Sequence, residues 1–249
     1  MERLTVLGSA FAIANALQEN SYLLLQTAGH TVLIDCGNNP AGRLEQVGVA
    51  LTDITDLVLT HAHADHMGAL PLLMMDIWLR KRKAPLNIYG LDYTLFRAKA
   101  LLDIFGWQNW KEMFPVEFHA VADNESTVII QAPDLRLTVA PVKHLIPNIG
   151  LRMELPHAGK TFVYSSDTEP CDNLERLAEG ADLLIQQAAG PGTGHTSPEQ
   201  AGIVAARAGV QKLALIHYDA AKLAQGMIDE AKLNFAGEVV LAKDLMFFE

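Results

Sequence analysis

Apolar positions come in short β-prone runs over the first sixty residues and in helical spacing directly after them. Residues 5–7, 21–26 and 31–35 are apolar or β-prone and separated by turns, which predicts three short strands. The break Gly37-Asn38-Asn39-Pro40 is followed by a short predicted helix over residues 41–47, and residues 56–60 form a further apolar strand. Leu70, Leu73, Met74, Ile77 and Trp78 then recur on one helical face, predicting helix from residue 66 to residue 81. A strand is predicted at 86–89, helical material to about residue 113, and then strands at 116–120, 127–131, 135–139, 150–155 and 161–165. The last third alternates, with strands at 183–185, 212–216 and 238–241 and a helix beginning after Ser197. Strand-rich stretches interleaved with helices predict an α/β protein of two packed sheets with helices outside.

No repeat, low-complexity tract or linker interrupts this pattern, so residues 1–249 are expected to form one domain. Half the residues are hydrophobic and 19% are charged, which predicts a packed globular core. No apolar run reaches membrane-spanning length, and the start Met1-Glu2-Arg3-Leu4 lacks the basic and apolar regions of a signal peptide. Cys36 and Cys171 cannot make a disulfide framework and show no metal-like spacing, so each reads as a small buried hydrophobe in a reducing cytoplasm. The net charge of -10 argues against a protein that grips many phosphates of a long nucleic acid. The one dense basic run, Arg80-Lys81-Arg82-Lys83, reads as a solvated helix end rather than a phosphate-contacting patch.

The chemistry begins at Thr60-His61-Ala62-His63-Ala64-Asp65-His66, a strand-to-helix junction. Imidazole and carboxylate are good ligands for zinc and similar ions. In extended chain, residues two apart point the same way, so His61 and His63 can share one ion, while Asp65 and His66 come after the turn and can face a second. Four unrelated polar residues beside an apolar strand are disfavoured, because unpaired buried polar groups are costly. Two ions need further ligands, and His144, Asp167, His195 and His217 are the candidates. Each lies at or just past the end of a predicted strand, where strand ends can converge. His30, His119 and His157 lie in turns or on strand faces without partner motifs.

The His-x-His-x-Asp-His order resembles the metallo-β-lactamase superfamily. Tyr164-Ser165-Ser166-Asp167-Thr168-Glu169-Pro170, His195-Thr196-Ser197 before a small-residue helix, and Leu215-Ile216-His217-Tyr218 are similar to motifs of its ribonuclease Z-like branch. Val6-Leu7-Gly8-Ser9 and Leu33-Ile34-Asp35-Cys36-Gly37 fit as well, so the resemblance spans nearly the whole chain. It implies an αββα four-layer sandwich. It implies His61, His63 and His144 on one ion, Asp65, His66 and His217 on the other, and Asp167 bridging them. A water or hydroxide between the ions is then the implied nucleophile, with a lowered pKa. Asp65 could orient or deprotonate it. Ser197 reads as an N-cap, with proline next and Gln200 closing a capping box, which puts His195 just before an anion-attracting helix N-terminus. The resemblance implies that His195 contacts substrate phosphate or protonates the leaving group.

Two departures bear on the substrate. Ribonuclease Z enzymes carry a long tRNA-binding arm between the third histidine and the bridging aspartate, whereas here residues 145–166, 22 in all, hold two strands and a turn. Gln187 stands where the branch has a glutamate supporting the penultimate histidine, and an amide cannot raise imidazole basicity as a carboxylate does. The aromatic segment Phe105, Trp107, Trp110 and Phe114 has the spacing of core or dimer contacts. The expected function is therefore a dinuclear phosphodiesterase acting on a small phosphodiester. A carboxylic or sulfuric ester or lactone hydrolase is the alternative, and a tRNA 3′-processing endoribonuclease or a non-catalytic metal-binding protein is disfavoured. Zinc suits the ligands best, with manganese or iron also able to bind them. The expected partner is a small-molecule ester, without long nucleic acid or membrane, and the resemblance implies a homodimer.

Overall fold

The computed structural model describes residues 2–124, 126–219 and 224–249. In chain order these build β1 (Arg3–Gly8), β2 (Tyr22–Gln26), β3 (Thr31–Ile34), α1 (Pro40–Gln46), β4 (Asp56–Val58), α2 (Ala64–Met67), α3 (Leu70–Leu79), β5 (Leu86–Leu91) and α4 (Asp92–Ile104). There follow β6 (Val116–Val121), β7 (Thr127–Gln131), β8 (Arg136–Val142), β9 (Asn148–Leu155), β10 (Lys160–Tyr164), α5 (Asp172–Ala178), β11 (Leu183–Gln187), α6 (Pro198–Ala208), β12 (Lys212–Ile216), α7 (Ala224–Lys232), β13 (Glu238–Leu241) and β14 (Phe247–Phe248).

The inner strands are apolar on both faces, and the alternation sorts each face into a different core. Leu4 and Val6 of β1, Leu23 and Leu25 of β2, and Val32 and Ile34 of β3 join one cluster with Phe162, Tyr164, Ile185 and Ile216 from the other half. Leu7, Leu24 and Leu33, pointing the opposite way, pack with Leu70, Leu73, Met74 and Ile77 of α3 and Leu95 and Leu102 of α4. Val163, Leu184, Leu213 and Leu215 pack against α5, α6 and α7. Three apolar layers thus separate four structural ones, and the αββα sandwich expected from the sequence is present. Each fully buried leucine contributes about 1.5–3 kcal/mol, so a one-residue slip of any strand would exchange two cores at once.

The sheet orders are β14-β1-β2-β3-β4-β5-β6 and β13-β12-β11-β10-β9-β8-β7. Strands β3 to β6 run parallel in the first sheet and β10 to β13 in the second. Loops leaving the carboxyl ends of parallel strands are where open α/β sheets place their ligands.

Several local expectations shift. The single helix expected over 66–81 is two, α2 and α3. Pro71 lies in the first turn of α3, where its missing N–H costs nothing. Ala69 N–H is drawn off to the Cys36 carbonyl, and Gly68 N–H closes onto Ala64 O. Gly37 permits this junction, because a Cβ there would overlap the Asp65 carbonyl oxygen. The basic run is also not wholly solvated. Arg82 is buried and donates to the carbonyls of Thr52, Ala84 and Pro85, tying the end of α3 to the start of β5. In the aromatic segment Phe114 is core, Trp107 and Trp110 pack partly against it, and Phe105 stays exposed. Among the described residues no helix is long and apolar enough to cross a membrane.

Candidate metal centre

The loop after β4 carries His61 and His63 in extended chain, and His63 is the N-cap of α2, so Asp65 and His66 fall in that helix's first turn. The structure brings this motif together with His144 after β8, Asp167 after β10, His195 after β11 and His217 directly after β12. Ligand atoms of His61, His63, His144 and Asp167 lie within 4.8 Å of one another, as do those of Asp65, His66 and His217, and those of Asp167, His195 and His217. All eight residues singled out from the sequence therefore meet in one place. His30, His119 and His157 lie elsewhere: against Asp56, against Asn87 and Tyr89, and on the surface near Glu2.

His61 Nε2 is 3.0 Å from His63 Nδ1, which is 3.1 Å from His144 Nε2. Asp167 Oδ2 stands 3.4 Å from His217 Nε2, 3.6 Å from His66 Nε2 and 4.0 Å from His144 Nε2. Asp65 Oδ2 is 3.4 Å from His217 Nε2 and 3.5 Å from His66 Nε2. Four ligands at zinc-like bond lengths of about 2.0–2.1 Å sit roughly 3.3–3.4 Å apart at the corners of a tetrahedron. Most of these separations are near that edge and longer than a good hydrogen bond. His66 Nε2 and Asp167 Oδ1 are also buried without a hydrogen-bond partner. Each orphaned atom costs about 1–3 kcal/mol, so the donor set fits a cation.

The far ring nitrogens explain why the near ones face inward. Thr60 Oγ1 donates to Asp35 Oδ2 at 2.8 Å and so accepts from His61 Nδ1 at 3.0 Å. His66 Nδ1 donates to Asp35 Oδ2 at 2.8 Å, and His144 Nδ1 donates to the Gly194 carbonyl at 2.7 Å. With Nδ1 engaged as the donor in each ring, Nε2 is the nitrogen left facing the centre. Asp35, fully buried at the end of β3, also accepts from Thr60 N–H. It is the organising residue that the sequence shows only as part of a motif.

Electrostatics follow from this packing. Burial pushes the His61 imidazole well below its ordinary pKa, with His66 adding to the shift, and burial lowers His144 despite the Gly194 carbonyl. At His66 burial opposes the charge, but Asp167 and Asp35 outweigh it and hold the imidazole well above its usual value. At Asp167 burial is likewise outweighed, by His217 and His66, and the carboxyl is held well below the usual range. Around His66 and Asp167 the packing thus favours positive charge, which a divalent ion would supply by taking the nitrogen in place of the proton.

Asp35, Ser166 and His217 have φ of 64°, 51° and 55°, left-handed conformations that only glycine adopts freely. Each lies one or two residues past a strand end and turns the chain into the site. His195 stands 5.3 Å from His144 and 6.0 Å from His217, ring centroid to centroid. The expected capping box is present: Gln200 N–H donates to Ser197 Oγ and Ser197 N–H to Gln200 Oε1. Gln187 donates to Thr168 O and accepts from Ala189 N–H, and so anchors loops rather than the imidazole of His195. Burial lowers the His195 pKa while Asp167 works against the shift.

A family model described as the β-lactamase superfamily domain matches residues 30–218. A ribonuclease Z from Mycobacterium sp. (strain KMS) is 31% identical over 245 residues, covering 88% of this chain and 84% of that protein. Among solved structures, the metallo-β-lactamase fold protein YhfI from Bacillus subtilis superposes with a TM-score of 0.83 at 24% identity, over 99% of this chain and 98% of that one. Human tRNase Z, short form, gives 0.80 at 23% identity, over 99% and 98% of the two chains. A diphosphatase from the PhnP family gives 0.72 at 21% identity, over 100% and 98%.

Proposed function

The chain belongs to the metallo-β-lactamase superfamily of hydrolases, in its ribonuclease Z-like branch, and from that premise we propose that it is a dinuclear phosphodiesterase acting on a small phosphodiester. In this reading His61, His63 and His144 would hold one ion and Asp65, His66 and His217 the other, with Asp167 serving as a ligand to both. Zinc is the ion proposed, with manganese or iron as substitutes the same donors accept. When bound, the ions supply Lewis-acid stabilisation of the attacked phosphoryl group and make a water acidic at neutral pH. Asp65 would accept a hydrogen bond from the attacking water and fix its orientation. His195, its ring 5.3 Å from that of His144 and 6.0 Å from that of His217 and three residues before α6, would offer an N–H to the phosphate or the departing oxygen.

The observation that carries the small substrate is the β9–β10 hairpin. Leu155 pairs with Lys160, and a four-residue turn joins the strands. The tRNA-binding arm of ribonuclease Z has no place in that turn, and the acidic net charge of -10 points the same way. The same fold carries the PhnP-family diphosphatase, so small phosphate esters are compatible with it. A homodimer is part of the proposal. Exposed Leu72 on α3 and Phe105 just beyond α4 line one largely apolar groove with Trp110, which a second copy would cover.

Protein loaded with zinc or manganese should cleave bis-p-nitrophenyl phosphate, and His61→Ala should lose that turnover by several orders of magnitude. Aryl sulfates, lactones and a tRNA precursor belong in the same panel. Turnover of one of those without phosphodiester cleavage overturns the reading.

A further inference from the structure

Gly194 is held from both sides. Its N–H donates to Glu169 Oε1 at 2.9 Å, and its carbonyl accepts from His144 Nδ1 at 2.7 Å. Glu169 is itself fixed: its other carboxylate oxygen meets Lys143 Nζ at 2.6 Å, and its backbone N–H donates to Lys143 O at 2.8 Å. Those two residues form an isolated antiparallel bridge that ties the Asp167 loop to the His144 loop. Gly194 is buried with φ of 81°, and a Cβ there would lie 2.8 Å from His144 Nδ1, so no side chain fits between loop and ring. The next residue is His195.

We propose that Glu169 is the positioning residue of this centre: by clamping the Gly194 peptide it fixes both the tautomer of His144 and the place of His195. The segment Gly190-Pro191-Gly192-Thr193-Gly194 contains three glycines, and Pro191, Gly192 and Thr193 are exposed. Glycine loses the most backbone freedom on ordering, so such a loop needs external ties. The described ties are Gly190 N–H to Thr196 O at 3.2 Å, the local bond from His195 N–H to Gly192 O at 3.1 Å, and the two bonds at Gly194. The carboxylate bond is charge-assisted and the stronger kind. With it in place the Gly194 carbonyl stays on His144 Nδ1, the proton stays there too, and Nε2 keeps its lone pair toward His63 Nδ1. Without it the carbonyl is free to swing off, His144 loses the partner that sets its tautomer, and His195 moves with the loop. The inference rests on the metal-centre reading but not on the identity of the substrate.

Three measurements on the full chain test it, using Glu169→Met, which keeps length and loses the acceptor, and Glu169→Gln, whose amide oxygen still accepts from Gly194. Hydrogen exchange at the Gly194 amide should rise about 10- to 100-fold in Glu169→Met. Affinity for zinc, read by competition with a chelator, should fall by about the same range, as for other outer-shell partners of metal ligands. The kcat for bis-p-nitrophenyl phosphate should drop with KM little changed. Glu169→Gln should recover most of the protection and affinity. Unchanged exchange and zinc affinity in Glu169→Met overturn the proposal, as does a Glu169→Gln variant as unprotected at Gly194 as Glu169→Met. Glu169→Ala carries the same expectation should the methionine variant fail to fold. If the phosphodiesterase reading alone is wrong, parent and variants all lack turnover while exchange and affinity still separate them.

Discussion

Asp35→Asn isolates the contribution of a residue that touches no substrate. Its backbone φ of 64° suits asparagine as well as aspartate, so the substitution leaves the chain path alone. The carboxylate takes three donors at 2.8 Å: Thr60 N–H on one oxygen, Thr60 Oγ1 and His66 Nδ1 on the other. An amide offers one acceptor oxygen and an NH2. If the oxygen keeps Thr60 N–H, the NH2 faces the threonine hydroxyl and the imidazole. The hydroxyl can rotate to accept. The imidazole must surrender its Nδ1 proton and carry it on Nε2, the atom aimed at Asp65 and Asp167. Loss of such a partner weakens metal binding about 10- to 100-fold, which is roughly 1.4–2.7 kcal/mol at 1.36 kcal/mol per decade. A ligand that binds only the folded state stabilises it in proportion to the logarithm of its affinity. For a chain of this size about 2–4 °C of Tm corresponds to each kcal/mol, so the zinc-induced rise in Tm should shrink by roughly 3–11 °C. Calorimetric titration of chelator-stripped protein should show one zinc step near its parent value and one weakened. Melts with and without chelator separate this from general loss of stability, which would appear in both. Two unchanged binding steps and an unchanged zinc-induced shift would refute the tautomer argument.

Two further outcomes follow from the pKa directions. His66 is held above its usual value by Asp167 and Asp35 against burial, so a metal taking its nitrogen must displace a proton, whereas burial has already lowered His61 and His144. Zinc binding at neutral pH should release a proton, detectable with a pH indicator in weak buffer, and affinity should rise with pH; binding without release contradicts the assignment. The buried Asp134, lowered chiefly by its hydrogen bond from Thr27 and also by that from Gly29 N–H, contributes stability above the ordinary carboxylate pKa of about 3.9 and loses it as pH falls through its depressed value. Asp134→Asn should cost about 1–3 kcal/mol in urea titrations at pH 7, and a penalty that persists undiminished in acid would show that the charge is not its source.

What was legible in the sequence has a physical pattern. His61, His63, Asp65 and His66 could be read because their ligation is local: extended chain and one helical turn suffice to aim them. His144, Asp167 and His217 could be read because each follows an apolar strand whose partners bury both faces. Asp35 could not, since an aspartate after a strand looks like any turn residue, and its donors come from residues 25 and 31 positions away. Arg82 reads as solvated among its charged neighbours, yet its side chain folds back onto the carbonyls of Ala84 and Pro85 and reaches that of Thr52, 30 positions away. Glu169 was visible only as part of a motif, because its two partners, Lys143 and Gly194, are brought to it by separate strands. The break between α2 and α3 had a local sign, Pro71, which the helical spacing of Leu70 to Trp78 overrode.

Strain at three strand ends ties the energetics of the fold to those of the site. Asp35 and His217 are the residues directly after β3 and β12, and Ser166 comes two after β10; all three are left-handed. Such conformations cost of order 1–3 kcal/mol each, less for aspartate and histidine than for most side chains, so the three together approach several kcal/mol. That is a large share of the roughly 5–15 kcal/mol by which a folded domain is stable. They hold because strong cores lie directly behind them: Ile34 and Ile216 are fully buried between the sheets, and Tyr164 beside them. After β10 and β12 the strain turns the chain inward just before Asp167 and at His217, two of the residues whose ligand atoms come within 4.8 Å of their neighbours. Weakening the inter-sheet core should therefore degrade the metal centre before it unfolds the protein, because the strained turns are the first conformations the core would cease to impose.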